Sequence, residues 1–302
     1  MKSCKSSQVR LFRLHFSRRW DQNPCVSHWI YRAVMLNVCE IDICANIIKL
    51  PMSLFNSKTL TTLRLDSTAR DWSISNSAWR FPCQVHLPCL ITLDVVVTFT
   101  PFDYVYKLIR GCPALENLSL EVSSRNEEHE YVFNIPTLKR LKLDWSGLDK
   151  YCIDVVVLDV PNLEYLYICR KLCSTFVMED MSSLVEASVS FSTLTKLSLF
   201  NCNTLTKLSV HQHYEYKISW EFPCQFTLPC LSTLDIDLAV TPFANVVELI
   251  HSCPMLENLS LELSSDNREK YYVFDIPTLK RLKLNWKFGG YPNLVGTWFR
   301  RP

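Results

Sequence analysis

The sequence predicts an α/β solenoid, with a curved parallel β-sheet on the concave side and short helices and loops on the convex side. Three observations predict it. The frame LxxLxL, or its close variant with valine or isoleucine last, returns at Leu60, Leu90, Leu115, Leu138, Leu163, Leu231, Leu256 and Leu279. The block 79–145 matches the block 220–286 without a gap, and about two-thirds of the aligned positions are identical. Segments between the frames carry helix signals at matching places in both blocks. Most frames follow one another at about 22–30 residues, the period of leucine-rich repeats. A duplicated block this long holds several such units, so duplication lengthens the solenoid without changing its construction.

Each element has a physical reason. In xLxLx the two central apolar residues point to one face of a short strand and their neighbours to the other. One such strand cannot bury its apolar face alone, so neighbours stack. Residues 1–26 form a basic lead-in, opening MKSCKSSQVRLFRLHFSRRW, without the apolar stretch of a signal peptide. VSHWIYRAVMLN from Val26 reads as a helix with Trp29, Ile30, Ala33 and Val34 on one face. VCEIDI from Val38 is an early strand, and IKLPMSLFNSK over 48–58 is an apolar loop leading into the strand at Leu60.

TPFDYVYKLIRGC from Thr100 has an N-cap threonine, Pro101 at the first helical position, apolar Val105, Leu108 and Ile109, and Gly111 as a stop. TPFANVVELIHSC from Thr241 repeats that helix without the glycine. Weaker frames at Leu194 and Leu205 fill the interval between the blocks. The repeats are expected to run over 27–302 as one elongated unit.

Composition narrows the function. Apolar residues make up 48% and charged residues 21%, ordinary for a folded globular chain. No apolar run has the length of a membrane helix, so no membrane partner is expected. The net charge is +2, and bases alternate with acids, so no nucleic-acid partner is expected either. Among the fourteen cysteines, Cys83, Cys89 and Cys112 return as Cys224, Cys230 and Cys253, which makes them parts of the repeat and candidate core residues.

There is no CxxC pair, and Cys169 and Cys173 have no histidine nearby, so no metal site is expected. Reduced thiols and the missing signal peptide point to the cytoplasm and/or nucleus, where the sequons at Asn117 and Asn258 carry no glycan. No GxGxxG, phosphate loop, GxSxG or HExxH occurs, and five glycines leave little for a phosphate cradle. His211 and His213 form an HxH pair without supporting ligands and read as a solvated loop. The expectation is a protein with no catalytic site and no cofactor.

What remains is binding. Stacking places the first x of each frame in one column, Thr61, Ile91, Glu116, Lys139 and Glu164, an acid–base ladder worth about 0.2–1 kcal/mol per pair. The third position offers Thr62, Thr92, Asn117, Arg140 and Tyr165, and the fifth offers Arg64, Asp94, Ser119, Lys142 and Tyr167. Arginine and tyrosine concentrate binding energy at protein interfaces. The candidate protein-binding residues of the concave face are therefore Arg64, Arg140, Lys142, Tyr165, Tyr167, Arg281 and Lys283. They suit an acidic or aromatic protein segment. The competing reading is that the aromatics pack on their neighbours.

KLPMSLFNSKTLTTLRLD from Lys49, CPALENLSLE from Cys112, IPTLKRLKLD from Ile135 and DVPNLEYLYI from Asp159 stand in an ordered succession. SHWIYRAVMLNVCEIDI from Ser27 precedes them and SSLVEASVSF from Ser182 follows. In this order they resemble the plant F-box/leucine-rich-repeat proteins, the group often ending in an FBD domain. The resemblance covers about residues 10–285. It implies a substrate receptor of a cullin-RING ubiquitin ligase, in which the F-box binds a Skp-type adaptor and the repeats hold the protein to be ubiquitinated.

No stretch before Ser27 matches the F-box pattern, and KFGGYPNLVGTWFRRP lacks a second DxPNLEYL strand and an FBD domain. The expectation is a substrate-holding region, with the adaptor bound only through an F-box outside this chain. The alternatives are a ligase-independent interaction scaffold or decoy, and a truncated non-functional gene product. The bound protein has no signature in the sequence.

Overall fold

The computed structural model describes residues 9–15, 24–45, 50–67, 81–82, 84–98, 102–123, 130–145, 153–170, 173–178, 181–191, 196–199, 202–212, 227–238, 243–263, 271–274, 276–286 and 293–296. The chain divides into two compact units, Met1–Glu127 with Lys142–Tyr151, and Glu128–Leu141 with Cys152–Pro302. The first carries β1 (Leu11–His15), α1 (Pro24–Met35), β2 (Glu40–Cys44), a 3-10 turn (Met52–Asn56), β3 (Thr62–Asp66), β4 (Thr92–Thr98), α2 (Phe102–Arg110) and β5 (Asn117–Ser123). Its strands lie parallel in chain order, β1-β2-β3-β4-β5. The basic lead-in thus contains a strand of this series.

The second unit opens with β6 (Glu130–Asn134), and the unit boundary passes through β7 (Arg140–Trp145). Then come β8 (Ile153–Asp159), β9 (Tyr165–Arg170), β10 (Cys173–Met178), β11 (Glu186–Phe191), β12 (Lys196–Leu199), β13 (Lys207–Gln212) and β14 (Thr233–Leu238). α3 (Phe243–His251), β15 (Asn258–Leu263), β16 (Tyr271–Phe274), β17 (Arg281–Trp286) and β18 (Asn293–Gly296) complete it. Here β9-β11-β13-β14-β15-β17 form one parallel series. A separate parallel sheet runs β12-β10-β8-β6, and β16 pairs with β18.

The α/β leucine-rich-repeat solenoid is the fold. In most frames the central apolar pair of the strand is buried: Leu63 and Leu65, Leu93 and Val95, Leu118 and Leu120, Leu234 and Ile236, Leu259 and Leu261; in β17 the pair Leu282 and Leu284 is exposed. The first x residue is the joint between frames. Its carbonyl accepts two successive N–H groups from the next frame: Cys39 from Thr61 and Thr62, Thr61 from Ile91 and Thr92, Lys139 from Glu164 and Tyr165, Ser232 from Glu257 and Asn258. Saturating that carbonyl twice fixes the register in which leucine faces leucine.

The connections differ from expectation in the second unit. There the segments between frames are not only short helices and loops, because β6, β8, β10 and β12 add a sheet of their own. Val155, Val156 and Val157 show why: a β-branched run too short for a helix settles as a strand. The helices α2 and α3 form where the duplicated signal stood. Each buries the expected face, Val105, Leu108 and Ile109 in α2 and Val246, Leu249 and Ile250 in α3. Each also ends with a buried thiol donating to the last turn, Cys112 Sγ to Leu108 O at 3.2 Å and Cys253 Sγ to Leu249 O at 3.1 Å. Helix α1 buries Val26, Ile30 and Ala33. Trp29, expected on that face with Ile30, Ala33 and Val34, is instead exposed, and Val34 is half-buried.

After α1 the chain turns at Asn37, whose φ of 53° is left-handed. Its N–H donates to Val34 O at 2.9 Å, closing the helix. A residue without asparagine's tolerance for this conformation is strained there. Asn37→Ala is therefore expected to lower stability by about 1 kcal/mol, and Asn37→Gly to leave it unchanged or slightly raised. Urea titration of the two variants checks this.

Cysteine placement splits the expectation. Cys112, Cys202 and Cys253 are core residues, and burial pushes their thiols up to about 12, 11 and 11 respectively, so none serves as a nucleophile at neutral pH. Cys89 and Cys230 are exposed, which corrects the core assignment. Each sits in the middle of a turn closed by Leu90 N–H to Leu87 O or Leu231 N–H to Leu228 O, both at 3.2 Å. The flanking leucines go inward and the Pro-Cys pair between them goes outward. Cys83 and Cys224 lie outside the described residues.

Candidate protein-binding face

All seven candidate residues stand on strands and alternate with the frame leucines, which are buried in β3, β7 and β9 and exposed in β17. Arg64, Arg140, Lys142, Tyr165, Tyr167, Arg281 and Lys283 are all exposed. Their surroundings differ.

In the first unit the fifth position of the frame forms a column Arg13, Asp42, Arg64, Asp94, Ser119, set by the strand register. Charges alternate along it. Arg13 Nε donates to Asp42 Oδ2 at 2.9 Å, His15 Nε2 lies 3.0 Å from Asp42 Oδ1, and Arg64 Nε lies 3.4 Å from Asp94 Oδ2. Arg64 is thus a rung of a charge ladder, which leaves it a weaker anchor for a partner than an unpaired arginine would be.

Burial on its own pushes the Asp42 carboxyl up, but its pairs with His15 and Arg13, with the charge of Arg64, hold it below the usual 3.8. A depressed folded-state value means that this stability is present above pH 3.8 and is lost as the pH falls through the folded value. Asp42→Asn is expected to be less stable than the parent at pH 7 by about 1 kcal/mol or less. The gap should close below pH 3.8, as urea titrations at the two pH values would show.

The second unit holds the aromatic part of the face. The Arg140 guanidinium lies 4.7 Å from the centre of the Tyr165 ring, a cation–π stack. Tyr165 is 37% exposed even so, and Tyr167 on the same strand is 40% exposed. From Tyr165 the third-position column continues through Glu186, Lys207, Thr233, Asn258 and Arg281. From Tyr167 the fifth-position column runs through Ser188, Ser209, Asp235, Ser260 and Lys283. Lys207 Nζ pairs with Glu186 Oε1, and Lys280 Nζ with Glu257 Oε1, both at 2.6 Å. Of the first-x column, Glu257–Lys280 in the second copy is one acid–base pair.

Sequence reading missed several members of this face. Glu186 and Lys207 belong to it, as do Asp235 and Asp237 on β14. The signal for Glu186 and Lys207 was available in the segments LVEASV and LTKLSV, and that for Asp235 and Asp237 in LSTLDID from Leu231, whose outward positions are as polar as those of the other frames. His211 lies on β13 opposite Asp237, not in a loop, and its neighbour His213 lies outside the described residues. Among the described residues no three His, Cys, Asp or Glu groups stand together as a metal site. No described helix is long and apolar enough to cross a membrane.

The family model described as "FBD-associated F-box protein At5g56370, LRR repeats" matches residues 26–188. The chain belongs to this leucine-rich-repeat family. Among curated relatives from Arabidopsis thaliana, the F-box/FBD/LRR-repeat protein At4g26340 is 34% identical over 46% of the chain, and the F-box/LRR-repeat protein At4g14103 is 31% identical over 53% of it. The F-box/FBD/LRR-repeat protein At1g78750 is 27% identical over 87% of the chain. The chain spans 32%, 42% and 62% of the length of these three relatives. No solved structure matches it. The family match covers the repeats from α1 to β11, and so includes Arg64, Arg140, Lys142, Tyr165 and Tyr167.

Proposed function

We propose that this chain is a non-catalytic protein-binding region that holds the substrate of a cullin-RING ubiquitin ligase. The observation that supports it is the outward aromatic–cationic strip of the second unit, Arg140 stacked on Tyr165 with Tyr167 beside it on the same strand. Large planar side chains held by their neighbours give contact area at low entropic cost. Within the second unit Arg281 and Lys283 extend the positive charge along their columns; Lys142 and Arg64 are candidates of the first unit, Arg64 the weaker because of Asp94. The partner is a protein with an exposed acidic or aromatic segment. A Skp-type adaptor is a partner only if an F-box is supplied outside these residues, and the cytoplasm and/or nucleus is the proposed place of action. Neither a cofactor nor nucleic acid takes part.

The test is affinity capture from plant cells with proteasome activity blocked, comparing the parent with an Arg140→Glu/Tyr167→Ser double variant. Proteins held by the strip should be captured at least tenfold less by the variant, the scale of losing one or two interface anchors. The same proteins should accumulate in plants lacking the parent protein. Equal capture by both forms would remove the strip, and capture without accumulation would leave a binding module with no ligase link.

A further inference from the structure

Strand β14 repeats β4, but the strand beside it does not repeat β3. The duplicated block begins at Trp79 in one copy and at Trp220 in the other, after β3 and after β13. Asp94 and Asp235 therefore hold the same outward position with different neighbours. Asp94 faces Arg64, whose Nε lies 3.4 Å from its Oδ2. Asp235 faces Ser209 on one side and Ser260 on the other. It is half-buried, and among the described residues it forms no ion pair or hydrogen bond. Its surroundings are also more acidic than those of Asp94. Asp237 stands where the first copy has Val96, between His211 and Glu262. Like charges directly opposite destabilise a sheet, so an incoming cation is favoured there. Of the nearby bases, Lys207 is paired with Glu186, and Lys283 lies two strands away across Ser260, about 10 Å by strand spacing.

We propose that the protein held on this face sets an arginine against Asp235, over Ser209, as Arg64 is set against Asp94 in the first unit. The proposal rests on the reading of the face as protein-binding and names a second part of the partner's chemistry. Serine at 209 is short, so a long side chain from outside has the room that the Arg64 side chain fills beside Asp94. A guanidinium suits this carboxylate better than an ammonium does, because its planar fork donates two parallel N–H groups to the two oxygens. Half-burial strengthens the pair further, since less water screens it.

The strand register sets the spacing the partner must match. From Tyr167 the fifth-position row runs through Ser188 and Ser209 to Asp235. At about 4.8 Å per strand this is about 14 Å, the reach of about four residues of extended chain. The two serines between are short, so the floor is low where such a segment crosses. The segment therefore carries an acidic or aromatic residue for the strip at Arg140, Tyr165 and Tyr167, and an arginine about four residues from it. These positions all lie in the second unit, and β14 is an inner strand with β13 and β15 on either side.

The probe is a phage-displayed library of random dodecapeptides, panned on the full 302-residue chain, with the recovered peptides resynthesised and measured by fluorescence anisotropy. Recovered peptides are expected to carry an arginine about four residues from an acidic or aromatic residue. Replacing that arginine with glutamate should weaken binding at least tenfold, the scale of one interface anchor, and Asp235→Arg in the protein should restore it. Ser209→Arg should weaken the unaltered peptide as much, by supplying the cation from within the chain, with circular dichroism unchanged. It carries the test if Asp235→Arg does not fold. Asp94→Ser is the control and should have no effect. Binding that is lost with Arg140→Glu/Tyr167→Ser but indifferent to Asp235→Arg and Ser209→Arg overturns the arginine site and leaves the strip. Binding lost with the two Asp235-site variants alone keeps the arginine site and removes the strip. A panning that yields no arginine-dependent peptide overturns the proposal. Light scattering that shows dimers abolished by Asp235→Arg also overturns it, in favour of a second copy.

Discussion

Replacing Phe55 with alanine is expected to lower the stability of the first unit by about 3–5 kcal/mol, the cost of an emptied aromatic site. Phe55 lies in the 3-10 turn before β3 and is fully buried. Its ring meets Phe81 edge to face, with centroids 5.9 Å apart at 73°, an arrangement worth about 0.5–1.5 kcal/mol beyond the buried area. Its carbonyl accepts His86 N–H at 2.8 Å, so side chain and backbone tie the turn to the segment that precedes β4. Neither neighbour can collapse into the hole without breaking that tie. The check is a urea titration, in which the midpoint falls and the slope stays constant if only stability has changed. Met52→Ala, at an exposed position of the same turn, should shift stability by no more than about 0.5 kcal/mol.

The strand leucines of every described frame except that of β17 were legible in the sequence, because a period of two and a recurring frame leave one solution: the inner pair is buried and the outer residues face away. The helices α2 and α3 were legible for the same reason, with the cap signal and the 3.6 period agreeing. Positions defined by contacts between distant segments were not. Phe55 sits in an apolar loop whose letters do not show that Phe81 will reach it. Cys89 has the chemistry of a core residue, but its exposure is decided by the turn between Leu87 and Leu90. Short apolar runs such as that of β8 fit a strand or a buried helical turn equally well, so the added sheet of the second unit could not be read.

The candidate site divides the same way. Outward exposure of Arg140, Tyr165 and Tyr167 follows from alternation alone. Arg64 beside Asp94 also follows, once frames are stacked in chain order. The grip on Asp42 does not, because Arg13 and His15 come from a lead-in with no complete frame. Only the register of β1 on β2 brings them to it.

Gly111→Ala is expected to cost the first unit about 1–3 kcal/mol, through overpacking and not through backbone conformation. A Cβ built at Gly111 would stand 2.5 Å from Cβ and Cγ1 of Val85 and 2.6 Å from its carbonyl oxygen. A flexible side chain would move aside from such a contact; a β-branched stem and a main-chain carbonyl cannot do so cheaply. Gly111 is held on both sides as well. Its N–H donates to Leu108 O at 3.1 Å, and its carbonyl accepts Leu87 N–H at 2.9 Å, joining the end of α2 to the turn at Pro88 and Cys89. Any shift that relieves the clash strains one of these bonds.

The second copy offers the control, because Ser252 occupies the equivalent place and its carbonyl accepts Leu228 N–H at the same 2.9 Å. A side chain is accommodated there, and its hydroxyl donates to Leu249 O at 2.6 Å. The counterpart of Val85 is Phe226, outside the described residues. Val85→Ala should therefore recover part of the loss in a Gly111→Ala background by removing Cγ1, and only part, since Cβ and the carbonyl remain. Full recovery would make the side chain the whole obstacle. No recovery at all would place it in the backbone approach, which glycine alone permits.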